Sequence, residues 1–161
     1  MVEKELLYYK MCDWLIDFFN RKNNQQEEFN KRKLIRLYNF IEEEAIKQGI
    51  AFFTKYVQKT YKDKSFYIKN FEIVKWEEGD FMDWHRDYPI YEGTTIVFLN
   101  DDYEGGELIT APDPHEPMAH LRTVHKPEVG KAISFLGNTW HKVNPVTKGT
   151  RYTLALWYHY V

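Results

Sequence analysis

Phe66-Tyr67-Ile68-Lys69-Asn70-Phe71-Glu72-Ile73-Val74-Lys75-Trp76 is where the character of the chain changes. The run is rich in β-branched and aromatic residues, the composition of a strand packed on a pleated surface. Shorter runs of the same kind follow at about 84–87, 93–100, 106–110, 131–136, 140–144 and 150–160. Turn signals separate them: Gly79-Asp80, Asn100-Asp101-Asp102, Gly105-Gly106, Gly137-Asn138 and Lys148-Gly149. Many short strands with regular turn punctuation predict a sandwich or jelly roll.

Upstream of Ser65 the period is helical. Leu7, Met11, Trp14, Leu15 and Phe18 recur at three- and four-residue steps and predict a helix over about 5–20. Residues 20–30 are polar and read as a loop or a frayed start of the next helix. Leu34, Leu37, Ile41 and Ala45 make a second stripe, and Ile46, Ile50, Phe53 and Val57 continue it past Gly49. One bent helix or two consecutive helices, ending near Lys59, are expected. Lys31-Arg32-Lys33 and Arg36 read as a solvated helix face balanced by Glu42-Glu43-Glu44. Helical support over about 5–60 and a strand core over about 65–160 give an α+β chain. Its 161 residues suit a single domain, 1–161.

Composition removes several function classes. With 43% hydrophobic and 17% aromatic residues the chain is not of the disordered type. A net charge of -2 gives no general attraction to nucleic acid or to an anionic membrane. No apolar run approaches the length of a membrane span. Met1-Val2-Glu3-Lys4-Glu5 is charged, with no apolar signal core behind it. The single cysteine, Cys12, rules out an internal disulfide framework and fits a reducing cytoplasm. Cys12 lies in the helical pattern and is read as packing.

The chemistry starts at His85-Arg86-Asp87. In an extended segment the first and third side chains share a face, so an imidazole nitrogen and a carboxylate oxygen can reach one point. With His141 as a third ligand they make two histidines and one carboxylate on one face of a metal. This is the facial arrangement of non-haem Fe(II) oxygenases, with the opposite positions open. Arg151 follows ten residues after His141, on the next predicted strand. Its planar fork suits a carboxylate held through two bonds.

The context is ordered: Trp76-x-x-Gly79, the triplet, Thr94-Thr95-Ile96-Val97-Phe98-Leu99-Asn100, Gly105-Gly106-Glu107, Gly130-Lys131-Ala132-Ile133-Ser134-Phe135, His141-x-Val143-x-Pro145-Val146, and Gly149 through Trp157. From about Tyr67 to Tyr160 the chain resembles the prolyl 4-hydroxylase-like family of Fe(II)- and 2-oxoglutarate-dependent dioxygenases. The resemblance implies a double-stranded β-helix, a jelly-roll, cupin-like core buttressed by the N-terminal helices. It implies Fe(II) on His85, Asp87 and His141, 2-oxoglutarate with its far carboxylate on Arg151, and O₂, with ascorbate a candidate auxiliary. A mononuclear zinc site accepts such ligands too; the Arg151 match decides for iron. Asp87 matters for the reaction type, because a halogenase would need that coordination position free for halide.

The implied co-substrate pocket includes Thr94, Phe98, Thr153, Trp157 and Trp76. Two positions depart from the family pattern. Trp76 stands where a tyrosine is common, and Phe98 replaces a tyrosine that in some relatives bonds the far carboxylate. Thr94 or Thr153 is the expected substitute donor. The reaction implied is hydroxylation of a peptidyl residue, prolyl by resemblance, with release of succinate and CO₂. The same chemistry on a free amino acid or other small molecule is the alternative, and a metal-bearing jelly-roll binding module is the non-enzyme reading. Nucleic-acid demethylation lacks the second arginine expected shortly after Arg151, where Trp157 and Tyr158 stand. Asp80, Asp83, Asp101, Asp102 and Glu104 read as turn residues. Residues 111–128 carry four of the six prolines and are expected to form a long surface loop. His115, His120 and His125 in it read as exposed rather than as a second metal site.

Overall fold

The computed structural model describes residues 2–5, 9–113 and 119–161. In chain order its elements are β1 (Val2–Glu5), α1 (Tyr9–Arg21), a 3-10 turn (Asn23–Gln25), β2 (Glu27–Phe29), β3 (Arg32–Arg36), a 3-10 turn (Leu37–Phe40) and α2 (Glu44–Thr60). There follow β4 (Phe66–Trp76), β5 (Met82–His85), β6 (Gly93–Phe98), β7 (Glu104–Gly105), β8 (Leu108–Ala111), a 3-10 turn (Ala119–Leu121) and β9 (Thr123–His125). The last four are β10 (Lys131–Leu136), β11 (Trp140–Val143), β12 (Val146–Lys148) and β13 (Arg151–Tyr160).

The spine is the pairing of β4 with β13, from Arg151 opposite Trp76 to Tyr160 opposite Phe66. Around it a seven-stranded sheet is ordered β1-β10-β6-β13-β4-β3-β2. A four-stranded sheet, β5-β11-β8-β9, covers one face, and β12 pairs with β7 in a small third sheet. Alternation along each strand divides the large sheet into two faces. Phe71, Ile73, Leu154 and Leu156 pack against Cys12, Phe18 and Phe19 of α1 and Ile46, Phe53 and Val57 of α2. Val74, Trp76, Phe98, Ile133, Phe135 and Ala155 face Leu108 and Val143 of the smaller sheet. The α+β, helix-buttressed jelly roll expected from the sequence is what the chain forms. Burial and Asp13 push the Cys12 thiol up to about 12, in keeping with a packing role.

Upstream of Ser65 the sequence reading needs correction. The helix expected over about 5–20 is α1, beginning at Tyr9; Val2–Glu5 instead forms an edge strand along β10. Leu7 lies outside the described residues, and Met11 is exposed. The stripe Leu34, Leu37, Ile41, Ala45 is not one helix. Residues 27–36 form a β-hairpin, Leu37–Phe40 is a 3-10 turn, and only Glu44–Thr60 is α-helical. Asn30 and Lys31 both take positive φ, 50° and 66°, giving the two-residue turn that matches strand twist. Leu34 and Ile35 then bury on opposite faces of β3, which pairs with β4. Tertiary pairing overrides a period that four apolar residues satisfied by chance.

The basic patch is likewise no solvated helix face. Arg32 is buried and Arg36 enters an ion-pair cluster. Nor is the span 111–128 a loop throughout: β9 adds to the smaller sheet beside β8. His125 is therefore buried, with Nε2 2.8 Å from Thr110 Oγ1, rather than exposed. His120 is exposed, and His115 lies outside the described residues.

Candidate metal centre and acid-binding pocket

The small sheet brings the His-x-Asp triplet to His141. β5 and β11 are antiparallel, with His141 directly opposite His85, so the two imidazoles sit side by side at 4.1 Å between centroids. β5 ends at His85, two residues before the end of the 84–87 strand expected. Asp87 is placed instead by its own N–H, which donates to the Gly137 carbonyl at 3.0 Å. Nε2 of His85 and Nε2 of His141 each lie 3.6 Å from Asp87 Oδ1. Each residue offers a ligand atom, and these atoms lie within 4.8 Å of one another.

Their protonation follows from their neighbours. His85 Nδ1 is 2.8 Å from the Asp83 carbonyl, and His141 Nδ1 is 3.1 Å from the Thr139 carbonyl. A carbonyl only accepts, so each Nδ1 carries the proton and each Nε2 turns a lone pair inward. Two lone pairs and a carboxylate oxygen converge with no donor between them, a donor set that calls for a cation. Burial lowers the His141 pKa; the Asp87 carboxylate opposes this, His85 reinforces it and the Thr139 carbonyl opposes it. His141 is thus kept neutral and ready to ligate at pH 7. Because protons compete with the metal for imidazole nitrogens, divalent-metal affinity should fall as the pH drops below about 6.5. A cobalt titration at pH 7.5, 6.5 and 5.5 checks this: affinity that stays flat across the series would contradict histidine ligation.

The other carboxylate oxygen of Asp87 is held from the large sheet. Oδ2 accepts from Thr94 Oγ1 on β6 and, at 3.2 Å, from Trp157 Nε1 on β13. These bonds fix the ligand's orientation across the two sheets. Thr94→Val or Trp157→Phe should each weaken metal binding roughly 10–100-fold while the fold survives. The same titration with a thermal melt is the check. Thr94 was an expected donor to the co-substrate, but its hydroxyl proton is committed to Asp87. Thr153 Oγ1 accepts from Trp76 Nε1 at 3.4 Å, so its own proton stays available.

Arg151 opens β13 and is 1% exposed. Its guanidinium lies 4.8 Å from the Trp76 ring and 5.8 Å from that of Phe98. Nε and Nη1 are buried without a hydrogen-bond partner. Burial lowers the Arg151 pKa, the Tyr103 phenol opposes this, and Arg32 adds to it. Tyr103 is a residue the sequence reading missed. Its hydroxyl is buried against Arg151, and burial raises the Tyr103 pKa while Arg151 lowers it. Gly106, at φ 65°, makes room for both: a Cβ there would lie 3.0 Å from Arg151 Cδ and 3.2 Å from Tyr103 Cε2. The only sequence signal was an aromatic within the acidic turn Asp101-Asp102-Tyr103-Glu104.

The three-ligand cluster and Arg151 share one cavity of about 560 Å³. Thr94, Thr153, Trp76 and Trp157 line it; Phe98 backs it from the core. Of the acidic residues expected at turns, Asp80 accepts from the Glu77 N–H and Asp102 from the Asn100 amide, whereas Asp83 lies within β5, accepting from the Trp84 N–H, and Glu104 begins β7.

A buried cationic fork and a two-histidine, one-carboxylate cluster in a jelly roll are the groups that a pocket for a metal and an acid would need. The chain belongs to the 2OG-Fe(II) oxygenase superfamily, whose profile matches residues 71–159. A PKHD-type hydroxylase of Delftia acidovorans is 43% identical over 67 residues, 41% of this chain and 27% of that protein. Human prolyl 3-hydroxylase 2 is 39% identical over 74 residues, 44% of this chain and 10% of that protein. The chain thus spans a minor part of the length of these relatives. Among solved structures, a Pseudomonas putida prolyl-4-hydroxylase superposes with TM-score 0.75 at 16% identity, over 98% of this chain and 91% of that one. A viral collagen prolyl hydroxylase from Paramecium bursaria Chlorella virus-1, in its 2OG complex, gives 0.72 at 18% identity, over 98% and 94%. Family membership makes Fe(II), 2-oxoglutarate and O₂ the reagents of this fold.

Proposed function

We propose that the protein is a 2-oxoglutarate-dependent iron dioxygenase that hydroxylates a peptidyl residue. Residues 1–161 act as one unit, His85, Asp87 and His141 hold Fe(II), and Arg151 holds the far carboxylate of 2-oxoglutarate. One observation carries the reading: an acceptor-only trio and an unpartnered buried guanidinium open on the same cavity. Fe(II) with 2-oxoglutarate and O₂ would supply the oxidising power, leaving succinate and CO₂. The chain supplies position. The Asp83 and Thr139 carbonyls aim the imidazoles, and Thr94 and Trp157 aim the carboxylate. Val74, Ile96 and Ala155 line the cavity with apolar surface that keeps water from the reacting groups. The names of the relatives favour a prolyl residue within a peptide as substrate. No helix among the described residues is long and apolar enough to cross a membrane. The lone buried thiol of Cys12 supports a cytoplasmic setting.

The Tyr103 hydroxyl, buried beside Arg151 and without a hydrogen-bond partner of its own, would bond and steady Arg151 when the co-substrate is held, the role of the hydroxyl that Phe98 lacks. Tyr103→Phe should raise the 2-oxoglutarate requirement about three- to tenfold, the worth of one modest hydrogen bond, with kcat nearly unchanged. Iron-loaded protein, 2-oxoglutarate and prolyl peptides test the function itself. Succinate by NMR and a one-oxygen mass gain on a peptide are expected. Succinate no higher than an iron-only blank would overturn the reading.

A further inference from the structure

The cavity extends past the metal cluster and Arg151 onto β4 and β3. Glu72 lines it from β4, opposite Ala155 of β13 on one side and Arg36 of β3 on the other. Neighbouring inward positions are apolar: Val74, Ala155 and Ile96. A carboxylate in such a floor needs a counter-charge, and Glu72 is only 5% exposed. It has part of one. Arg36 Nη1 lies 3.1 Å from Glu72 Oε1, while Arg36 Nε lies 3.0 Å from Glu27 Oε2 at the rim. One guanidinium serves two carboxylates, so the cluster is one positive charge short.

Among the described residues, no other cation of the cavity wall makes up the difference. Arg86 lies 4.9 Å over the Trp140 ring, and Arg32 lies 4.3 Å over Trp76 while donating to the Phe81 carbonyl at 3.0 Å. Arg151 lies against Trp76 and Phe98. Burial raises the Glu72 pKa, Arg36 lowers it and Glu27 raises it again, the order expected of a half-paired buried acid.

This arm of the cavity reaches the metal cluster through one side chain. Asn70 stands opposite Trp157 in the β4–β13 register, and Trp157 donates to Asp87. Asn70 Nδ2 lies 2.6 Å from Tyr91 Oη, and the Tyr91 ring is 6.0 Å from that of Trp157. A group bound beside Glu72 and Tyr91 is therefore a neighbour of the ligand Asp87.

We propose that Glu72, with Asn70 and Tyr91, forms a subsite for a cationic group of the substrate, an ammonium or guanidinium, and that Arg36 withdraws to Glu27 when this subsite fills. The inference rests on the hydroxylase reading, since it has the substrate enter by this arm. A pair that only ties the β2–β3 hairpin to β4 would not discriminate between ligands.

The test is anaerobic calorimetry on protein loaded with Fe(II) and 2-oxoglutarate. One probe series is N-acetylated, C-amidated tripeptides holding proline beside lysine, arginine, norleucine or glutamate; the other is free L-lysine and L-arginine. Lysyl and arginyl peptides should bind at least about tenfold more tightly than the norleucine peptide, as one charge-assisted hydrogen bond would give. Glu72→Gln should bring the series to within about twofold by the same measure. Arg36→Met removes the competing guanidinium and should widen the preference. It keeps the test open if Glu72→Gln fails to fold. The free amino acids binding with the same Glu72 dependence, and the blocked peptides not, would assign the cation to an α-ammonium instead of a side chain. Affinity indifferent to charge, or highest for the glutamyl peptide, overturns the subsite. So does a preference that neither substitution alters. Failure of the hydroxylase reading is seen separately, as the absence of a charge-transfer band when the unliganded protein receives Fe(II) and 2-oxoglutarate.

Discussion

Asp87→Ala is expected to abolish turnover and to lower Fe(II) affinity by well over a hundredfold. Loss of a partner that merely orients a metal ligand costs about 10–100-fold, and loss of the ligand itself exceeds that. Asp87 Oδ1 is the one anionic atom between the two Nε2 lone pairs. Without it the imidazoles face each other at 4.1 Å with no charge to hold a cation there. The fold should survive, because Asp87 lies beyond the end of β5 and its main-chain bond to Gly137 remains. Thr94 and Trp157 lose an acceptor, a cost of about 1–3 kcal/mol per buried donor left unmade. A calorimetric Fe(II) titration beside a thermal melt separates the two effects. Parent-like iron affinity in a folded Asp87→Ala protein would remove the cluster from the account.

Arg151→Ala should raise the 2-oxoglutarate requirement about a hundredfold or more and leave Fe(II) binding little changed. Two charge-assisted hydrogen bonds to a carboxylate are worth about 1.5–3 kcal/mol each, and each 1.4 kcal/mol is a factor of ten. Arg151 is buried between Trp76 and Phe98, so alanine also leaves a hole. Arg151→Met fills that volume without the charge and should show the same loss of co-substrate affinity with a smaller change in melting temperature. Arg151→Lys keeps the charge and loses the fork, and should be the mildest of the three. Titration of each variant with 2-oxoglutarate at fixed iron is the measurement. Parent-like affinity in Arg151→Met would mean that the co-substrate carboxylate binds elsewhere.

The strand core was legible because its signals are local. Phe66–Trp76 and Arg151–Tyr160 announce themselves by composition, and glycine-containing turns mark the strand ends. The candidate ligands were legible from the His-x-Asp spacing and a distant third histidine, although Asp87 lies past the end of β5 and is placed by its main-chain bond to Gly137 rather than by strand alternation. What failed upstream was non-local. Leu34 satisfies a helical spacing and a strand alternation equally well, and only pairing with β4 decides between them. Asn30-Lys31 is not a turn pair that a sequence reader singles out, yet it carries the left-handed turn. With the hairpin missed, Arg32 and Arg36 were assigned to solvent. Arg32 in fact stacks on Trp76, and Arg36 reaches Glu72 in the cavity. The role of Tyr103 and the bond from Thr94 to Asp87 were obscured for the same reason. The partner of each, Arg151 and Asp87 respectively, is on a different element, and no spacing in the chain records the contact.

The most direct test of the central claim is an anaerobic optical titration of the parent protein, first with Fe(II) and then with 2-oxoglutarate. A weak visible charge-transfer band should grow in on addition of 2-oxoglutarate, saturate at one equivalent per chain, and be absent from Asp87→Ala. No band at saturating iron and co-substrate, or a band of parent intensity in Asp87→Ala, would contradict a site in which His85, Asp87 and His141 present Fe(II) to 2-oxoglutarate.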